Sequence, residues 1–162
     1  MIALTLDESD VRGFMNSLLK EGLFDFFDVR MVEMTSLTRV EISGVLDDGG
    51  KNGQEVESGK PSPKASYANW GQLRPLVVEI IKNHGMPRHM KIVFSLDTVS
   101  TVDFYPNASA LFLNLLYENS MVNFTSATAE KQFSLDKTLD EMWGNYIKSF
   151  FGKCNIPVKE KA

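Results

Sequence analysis

Residues 110–128 read Ala-Leu-Phe-Leu-Asn-Leu-Leu-Tyr-Glu-Asn-Ser-Met-Val-Asn-Phe-Thr-Ser-Ala-Thr, and this stretch decides the fold. Leu111, Leu113, Leu115 and Tyr117 recur at every second position, and alternate side chains of a strand share one face of a sheet. The polar pair 119–120 is typical of a tight turn. Two strands, 110–118 and 121–128, are therefore predicted to form a hairpin, and residues 131–135 to add a further strand.

Three more strands are predicted upstream, at 29–35, 37–46 and 90–96. In the second of these, Val40 and Ile42 alternate with Arg39 and Glu41, which gives the strand one apolar and one polar face. A sheet with one solvated face is typical of antiparallel pairing, because parallel sheets are usually covered on both faces. These patterns predict a single antiparallel sheet of about five or six strands.

Three helices are predicted from apolar residues that repeat with helical spacing, at 9–21, 66–83 and 138–151. The second contains Pro75, which removes one backbone hydrogen bond, so we expect this helix to bend there or to begin shortly before it. Residues 97–109 are expected to be irregular. Because helices and strands are mixed along the chain, the predicted fold is α+β, with the three helices mainly on one face of the sheet.

The chain has 162 residues, which is the usual size of one domain. We assign 1–152 to a single α+β domain and 153–162 to a flexible tail. Residues 47–65 contain many Gly and Pro and almost nothing apolar, which predicts a mobile insertion within the domain. Long segments of this kind are either functional lids or disordered, and this composition favours disorder.

The charge balance argues against nucleic-acid binding, which needs clustered Lys and Arg. Here 17 basic and 21 acidic side chains give a net charge of −4. No apolar run approaches the roughly 20 residues that cross a bilayer. The N-terminus lacks the basic start of a signal peptide, and a single Cys excludes an internal disulfide. We therefore predict a cytoplasmic protein that binds neither nucleic acid nor membrane.

No motif in the sequence supports catalysis, a metal or a cofactor. The run from Gly53 to Gly59 is one residue too long for a phosphate loop, and Pro61 follows Lys60 where Ser or Thr is required. His84 and His89 are too few for a zinc site without a third ligand nearby. We therefore assign no catalytic residue, no metal ligand and no cofactor.

Seven residues are candidates for binding. Trp70 and Arg74 lie four apart on a predicted helix, where a cation can stack on an indole ring. Trp70, Phe94, Tyr117 and Trp143 are predicted to line a groove between the sheet and the last helix. Arg88 and His89 form a small basic spot, and Asp97 lies at the end of the strand that follows them. The seven candidates are therefore Trp70, Arg74, Arg88, His89, Asp97, Tyr117 and Trp143.

Two functional hypotheses follow from these candidates. The first is a non-enzymatic cytosolic binding or interaction module, whose partner is a small ligand or another protein. The alternative is a small enzyme that uses Asp97, Asp103, His89 and Arg88 on loops beyond one end of the sheet. The sequence does not separate a monomer from a homodimer, so a structural role as a homodimer stays open.

Five stretches taken together resemble a small bacterial family known only as a domain of unknown function. They are Met-Ile-Ala-Leu at 1–4, Trp-x-x-Leu-Arg-Pro at 70–75, Lys-Ile-Val-Phe-x-Leu at 91–96, Leu-Phe-Leu-Asn-Leu-x-Tyr-Glu at 111–118, and Phe-Ser-Leu-Asp-Lys-Thr-Leu-Asp-x-x-Trp at 133–143. The chain departs from the family at 47–65, where it is rich in Gly. The resemblance implies a single intact domain in an intracellular bacterial protein, and it carries no activity or binding residue.

Overall fold

The computed structural model describes residues 1–47 and 66–161, which form one seven-stranded antiparallel sheet and four helices. The strands lie in the order β3-β2-β4-β5-β6-β1-β7. Their bounds are β1 Ala3–Leu6, β2 Asp28–Thr35, β3 Arg39–Ser43, β4 His89–Ser95, β5 Ala108–Glu118, β6 Met121–Glu130 and β7 Val158–Glu160. The α+β class and the antiparallel pairing are confirmed.

The helices are α1 Glu8–Lys20, α2 Trp70–His84, α3 Thr98–Phe104 and α4 Thr138–Lys153. At the start of α2 the Asn69 side chain accepts the Gln72 N–H, and the Gln72 side chain accepts the Asn69 N–H. This reciprocal cap satisfies two backbone donors that a helix start leaves free. The helix therefore begins five residues before Pro75, and Pro75 lies within it.

The predicted number of strands, about five or six, is wrong, because the described residues form seven. The two strands that prediction missed are β1, with four residues, and β7, with three, and such short segments show no measurable periodicity. Residues 158–160 lie in the expected flexible tail, yet they pair with β1. The predicted strand at 131–135 is absent, because β6 ends at Glu130. The backbone N–H groups of Lys131 and Gln132 donate to Asn107, and the Gln132 carbonyl accepts from the Asn107 side chain, so these groups are bonded to Asn107 and not to a neighbouring strand.

The prediction of three helices is also wrong, since α3 occupies residues expected to be irregular. Asp97 caps α3: one carboxylate oxygen accepts the Ser100 N–H at 2.9 Å and the other accepts the Ser100 hydroxyl at 2.8 Å. A seven-residue helix has too few turns to display an apolar stripe, so only the cap marks it in the sequence. Of the predicted insertion at 47–65, only Asp47 belongs to the described residues.

The hydrophobic core lies between one face of the sheet and the helices. Phe94 of β4 and Phe124 of β6 point to this face, and the ring of Phe14 from α1 meets Phe124 edge-on at 5.4 Å. Trp70 of α2 packs on Phe94, and Phe151 of α4 packs on Phe124. This arrangement buries the alternate residues that the sequence pattern selected, and it leaves exposed side chains such as Lys91 on the opposite face.

Candidate functional site

The two tryptophans predicted to line a groove are core residues. Trp70 and Trp143 are both fully buried, as is Phe94. Each indole N–H is satisfied by a main-chain carbonyl: Trp70 donates to Leu18 at 3.0 Å and Trp143 donates to Phe112 at 2.8 Å. These side chains therefore hold the helices to each other and to the sheet, and they present no surface to a ligand.

Arg74 is engaged with Asp25. Its Nε and Nη2 donate to the two carboxylate oxygens at 3.1 and 2.9 Å, which is a bidentate ion pair. The pair connects α2 to the segment that follows α1. The sequence allowed Arg74 to lie over the indole of Trp70; Trp70 is enclosed in the core, and the guanidinium of Arg74 is bound to Asp25.

The residues of the enzymatic hypothesis do not converge. Arg88 and His89 lie at the start of β4, whereas Asp97 follows its end and Asp103 lies in α3. The strand runs from residue 89 to residue 95, so at about 3.3 Å per residue the two groups are roughly 20 Å apart. Both carboxylate oxygens of Asp97 are occupied by the α3 cap. Arg88 is exposed and His89 is half-buried.

Tyr117 alone among the seven candidates borders a groove with a volume of about 870 Å³. We call it the α1 groove, because one wall is helix α1 and the other is the β5–β6 turn with Met86. Ser120 forms part of that turn, where it and Asn119 have positive φ values. The lining residues are Glu8, Ser9, Val11, Arg12, Gly13, Met15, Asn16, Leu19, Met86, Tyr117 and Ser120.

The wall formed by α1 is a continuous helical face. Ser9, Arg12, Gly13 and Asn16 are spaced by three and four residues, so they lie above one another along the helix. All four are exposed, whereas the neighbouring Val11 and Met15 are buried and form the apolar floor. Polar groups on one wall thus stand over an apolar base, which is the usual construction of a small-molecule site.

The polar side chains of the α1 groove have no partners within the part of the chain that the structure describes. None of Ser9, Arg12, Asn16 or the Tyr117 hydroxyl takes part in a side-chain hydrogen bond or an ion pair there. By contrast, Arg39 and Arg74 both pair with carboxylates. The groove lining therefore offers a guanidinium, a carboxamide and the three hydroxyl groups of Ser9, Tyr117 and Ser120 to a ligand, beside the carboxylate of Glu8.

Gly13 lies in the interior of α1, where Gly is about 0.5–1 kcal/mol less favourable than Ala. A Cβ atom at this position would meet no heavy atom within 4 Å. Packing therefore gives no reason for Gly here, whereas a small residue keeps the groove open against the helix backbone. Gly13 also borders a smaller depression of about 350 Å³ on the other side of α1.

A second polar cluster, which sequence analysis missed, lies on the outer face of the sheet. Arg30 lies over the ring of Tyr67 at 4.0 Å and 5.3 Å from the ring of Phe112. Its Nε donates to the fully buried Ser95 hydroxyl at 3.0 Å, and its Nη1 donates to the Tyr67 hydroxyl at 2.9 Å. The cluster satisfies a buried hydroxyl and packs two rings, so its evident role is structural.

Asp28 lies beside this cluster, where it pairs with Ser95 across β2 and β4. Burial raises the pKa of its carboxyl, the nearby charge of Asp97 raises it further, and Arg30 opposes both effects. A β-bulge between residues 29 and 31 brings Arg30 to this position. Since a bulge shifts the strand register by one residue, simple alternation along β2 does not predict the contact.

No three His, Cys, Asp or Glu side chains within residues 1–47 and 66–161 lie close enough together to hold a metal ion. No helix formed by those residues is long and apolar enough to span a membrane. A model for a protein family matches residues 17–159 of the chain, which confirms the resemblance seen in the sequence. No curated protein and no solved structure matches.

Proposed function

This chain belongs to DUF5721, a family of unknown function, and on that premise we propose that it is a non-enzymatic binding module. Its ligand is a small molecule that lies in the α1 groove. Most of the groove wall on α1 precedes the matched residues 17–159, so the proposal rests on the geometry of this chain.

One observation carries the proposal: unpaired polar groups meet over an apolar floor in the α1 groove. Exposed polar side chains are ordinary on a helix, but these line, together with Tyr117 of the opposite wall, a space of about 870 Å³. That volume lies in the range of roughly 300–1,000 Å³ that small-molecule sites occupy. Arg, Asn, Ser and Tyr fix the orientation of a ligand by hydrogen bonds, while Met15 and Leu19 contact its apolar part.

The proposal also places the protein in the cytoplasm of a bacterium. A chain with one cysteine, Cys154, gains no stability from the oxidising environment outside the cell. The bacterial source follows from the resemblance described for the sequence. Nucleic acid is not the proposed ligand, because the net charge of −4 opposes contact with phosphates.

The experiment compares a variant that fills the groove with a matched control. Gly13→Leu adds a large side chain where a Cβ meets no atom within 4 Å, so the helix tolerates it. Lys20→Leu adds the same side chain at an exposed position of α1 outside the groove. The ¹⁵N-labelled proteins are titrated with a panel of carboxylates, amines, sugars and nucleosides, and backbone amide shifts are recorded.

We expect at least one compound to shift the amides of Arg12, Asn16 and Tyr117 in the unchanged protein and in Lys20→Leu. The same compound is expected to leave these amides unshifted in Gly13→Leu. The proposal is wrong if no compound shifts them at about 1 mM, a concentration that detects even weak ligands. It is also wrong if Gly13→Leu binds as well as the control.

A further inference from the structure

The charges of the α1 groove indicate which ligand it takes. Its lining contains two charged side chains, Glu8 and Arg12, one helical turn apart. They do not form an ion pair, and Arg12 has no carboxylate partner among the residues that the structure describes. An arginine that lines a groove without a partner leaves all five of its N–H donors for a ligand.

The polar neighbours of Arg12 favour a compact planar anion. The guanidinium fork matches the two oxygens of a carboxylate, and such bidentate pairs are stronger than neutral hydrogen bonds. Asn16 lies one turn further along the same helical face and has two more N–H donors, and Tyr117 on the opposite wall carries a hydroxyl donor. The groove lining therefore contains several donors besides Arg12 for a bound carboxylate.

The presence of Glu8 in the groove bears on whether the preferred ligand carries one negative charge or two. With one guanidinium and one carboxylate in the lining, the fixed charges of the groove sum to zero. For a doubly charged phosphate the attraction to Arg12 and the repulsion from Glu8 both double, so the fixed charges give it no net gain, whereas its second charge makes it more costly to remove from water. The groove therefore favours a singly charged group held by Arg12.

Apart from Ser9 and Ser120, the rest of the groove lining is apolar. Met86 is 44% exposed on the wall opposite α1, and Leu19 and Met15 continue the apolar surface. Methionine side chains adapt to ligands of different shape because they are unbranched and flexible. The part of the ligand beyond its charged end is therefore hydrocarbon.

We propose that the α1 groove binds an apolar monocarboxylate, whose carboxylate pairs with Arg12 and whose hydrocarbon chain lies against Met86 and Leu19. This inference rests on the proposed function and names the ligand class of the same site. Its two chemical parts, the anion and the chain, are tested separately.

The test uses four probes: hexanoate, the neutral hexanamide, the chainless acetate, and hexyl phosphate. Dissociation constants are measured from amide shifts of ¹⁵N-labelled protein. Hexanoate is expected to bind about tenfold more tightly than hexanamide or acetate, because it alone engages both parts of the groove with one charge. Hexyl phosphate is expected to bind more weakly than hexanoate.

Three variants test which residues cause the preference for hexanoate. Arg12→Gln is expected to make hexanoate and hexanamide bind equally. Glu8→Gln is expected to tighten hexanoate several-fold, whereas Asp10→Asn, which removes an acidic group from the same helical turn but outside the groove, is expected to change nothing. A circular dichroism spectrum of each variant shows that α1 is intact.

The inference is overturned if hexanamide binds as well as hexanoate, if Arg12→Gln keeps the preference, or if hexyl phosphate binds more tightly. It is also overturned if Asp10→Asn tightens hexanoate as much as Glu8→Gln. If a sugar or an amine shifts the groove amides and hexanoate does not, the ligand class is wrong and the proposed function stands. If Gly13→Leu fails to block every compound, the proposed function itself is wrong.

Discussion

Replacing Gly13 by Ala is expected to stabilise the protein while it narrows the α1 groove. The position is in the interior of the 13-residue helix α1, and the added Cβ meets no heavy atom within 4 Å. The substitution therefore introduces no clash, and it removes conformational freedom from the unfolded chain. The expected gain in the free energy of unfolding is about 0.5–1 kcal/mol.

A chain of this length responds to 1 kcal/mol with a change in Tm of roughly 2–4 °C, so Gly13→Ala is expected to raise Tm by about 1–4 °C. Urea denaturation followed by circular dichroism measures the free energy directly, and a thermal scan measures Tm. If the proposed ligand binds in the α1 groove, its affinity is expected to fall in the same variant, because Gly13 lines the groove and the added methyl group takes up part of that space.

Gly85→Ala is the matched control. Its Cβ also meets no atom within 4 Å, but Gly85 has φ = +81°, a conformation that side chains rarely adopt. The same chemical change is therefore expected to destabilise the protein by about 1 kcal/mol or more there. The reasoning is refuted if Gly13→Ala lowers the free energy of unfolding, or if the two substitutions have the same sign.

Gly44, Asp25 and Asp28 give three further predictions. Gly44→Ala places a Cβ 1.6 Å from the carbonyl oxygen of Val29, so urea denaturation should show that the free energy of unfolding falls by about 3 kcal/mol or more. The control Gly152→Ala, whose Cβ meets no atom within 4 Å, should not show this loss. Breaking the bidentate pair by Asp25→Asn should lower the free energy of unfolding by about 1 kcal/mol, and a double-mutant cycle with Arg74→Gln should show that the two losses are not additive. Asp28→Asn should stabilise the protein at neutral pH, because a carboxyl whose pKa is raised on folding destabilises the folded state when it is ionised. Denaturation of both proteins between about pH 7 and about pH 3 should show this gain shrinking as the pH falls through the folded pKa of Asp28, and a gain that grows instead would contradict the raised pKa.

The sheet and the long helices were predictable because their signals are local. The hairpin of β5 and β6 follows from alternating residues on both sides of a two-residue turn, and α4 follows from an apolar stripe over four turns. The elements that prediction missed, β1, β7 and α3, have between three and seven residues. Such short elements form because segments distant in the sequence provide their hydrogen-bond partners, as β1 does for β7.

The candidate site was less predictable than the fold. Tyr117 was selected from the sequence, but the polar face of α1 was not, since most surface helices have such a face. Arg12 lines the groove and forms no ion pair among the described residues, and only the packing of other elements decides which surface charges find partners. The same limit applied to Trp70 and Arg74, whose partners Leu18 and Asp25 are 52 and 49 residues away.

The sequence by itself determined the α+β class, the antiparallel pairing and the residues that face inward, because alternation and helical spacing are properties of neighbouring residues. The tertiary structure alone decided that both tryptophans are enclosed, that Arg88 and His89 lie far from Asp97, and that α1 and the β5–β6 turn leave a groove between them. The physical reason is that burial and proximity depend on which distant segments cover a side chain. An apolar residue has the same spacing in the sequence whether another helix or a ligand completes its surroundings.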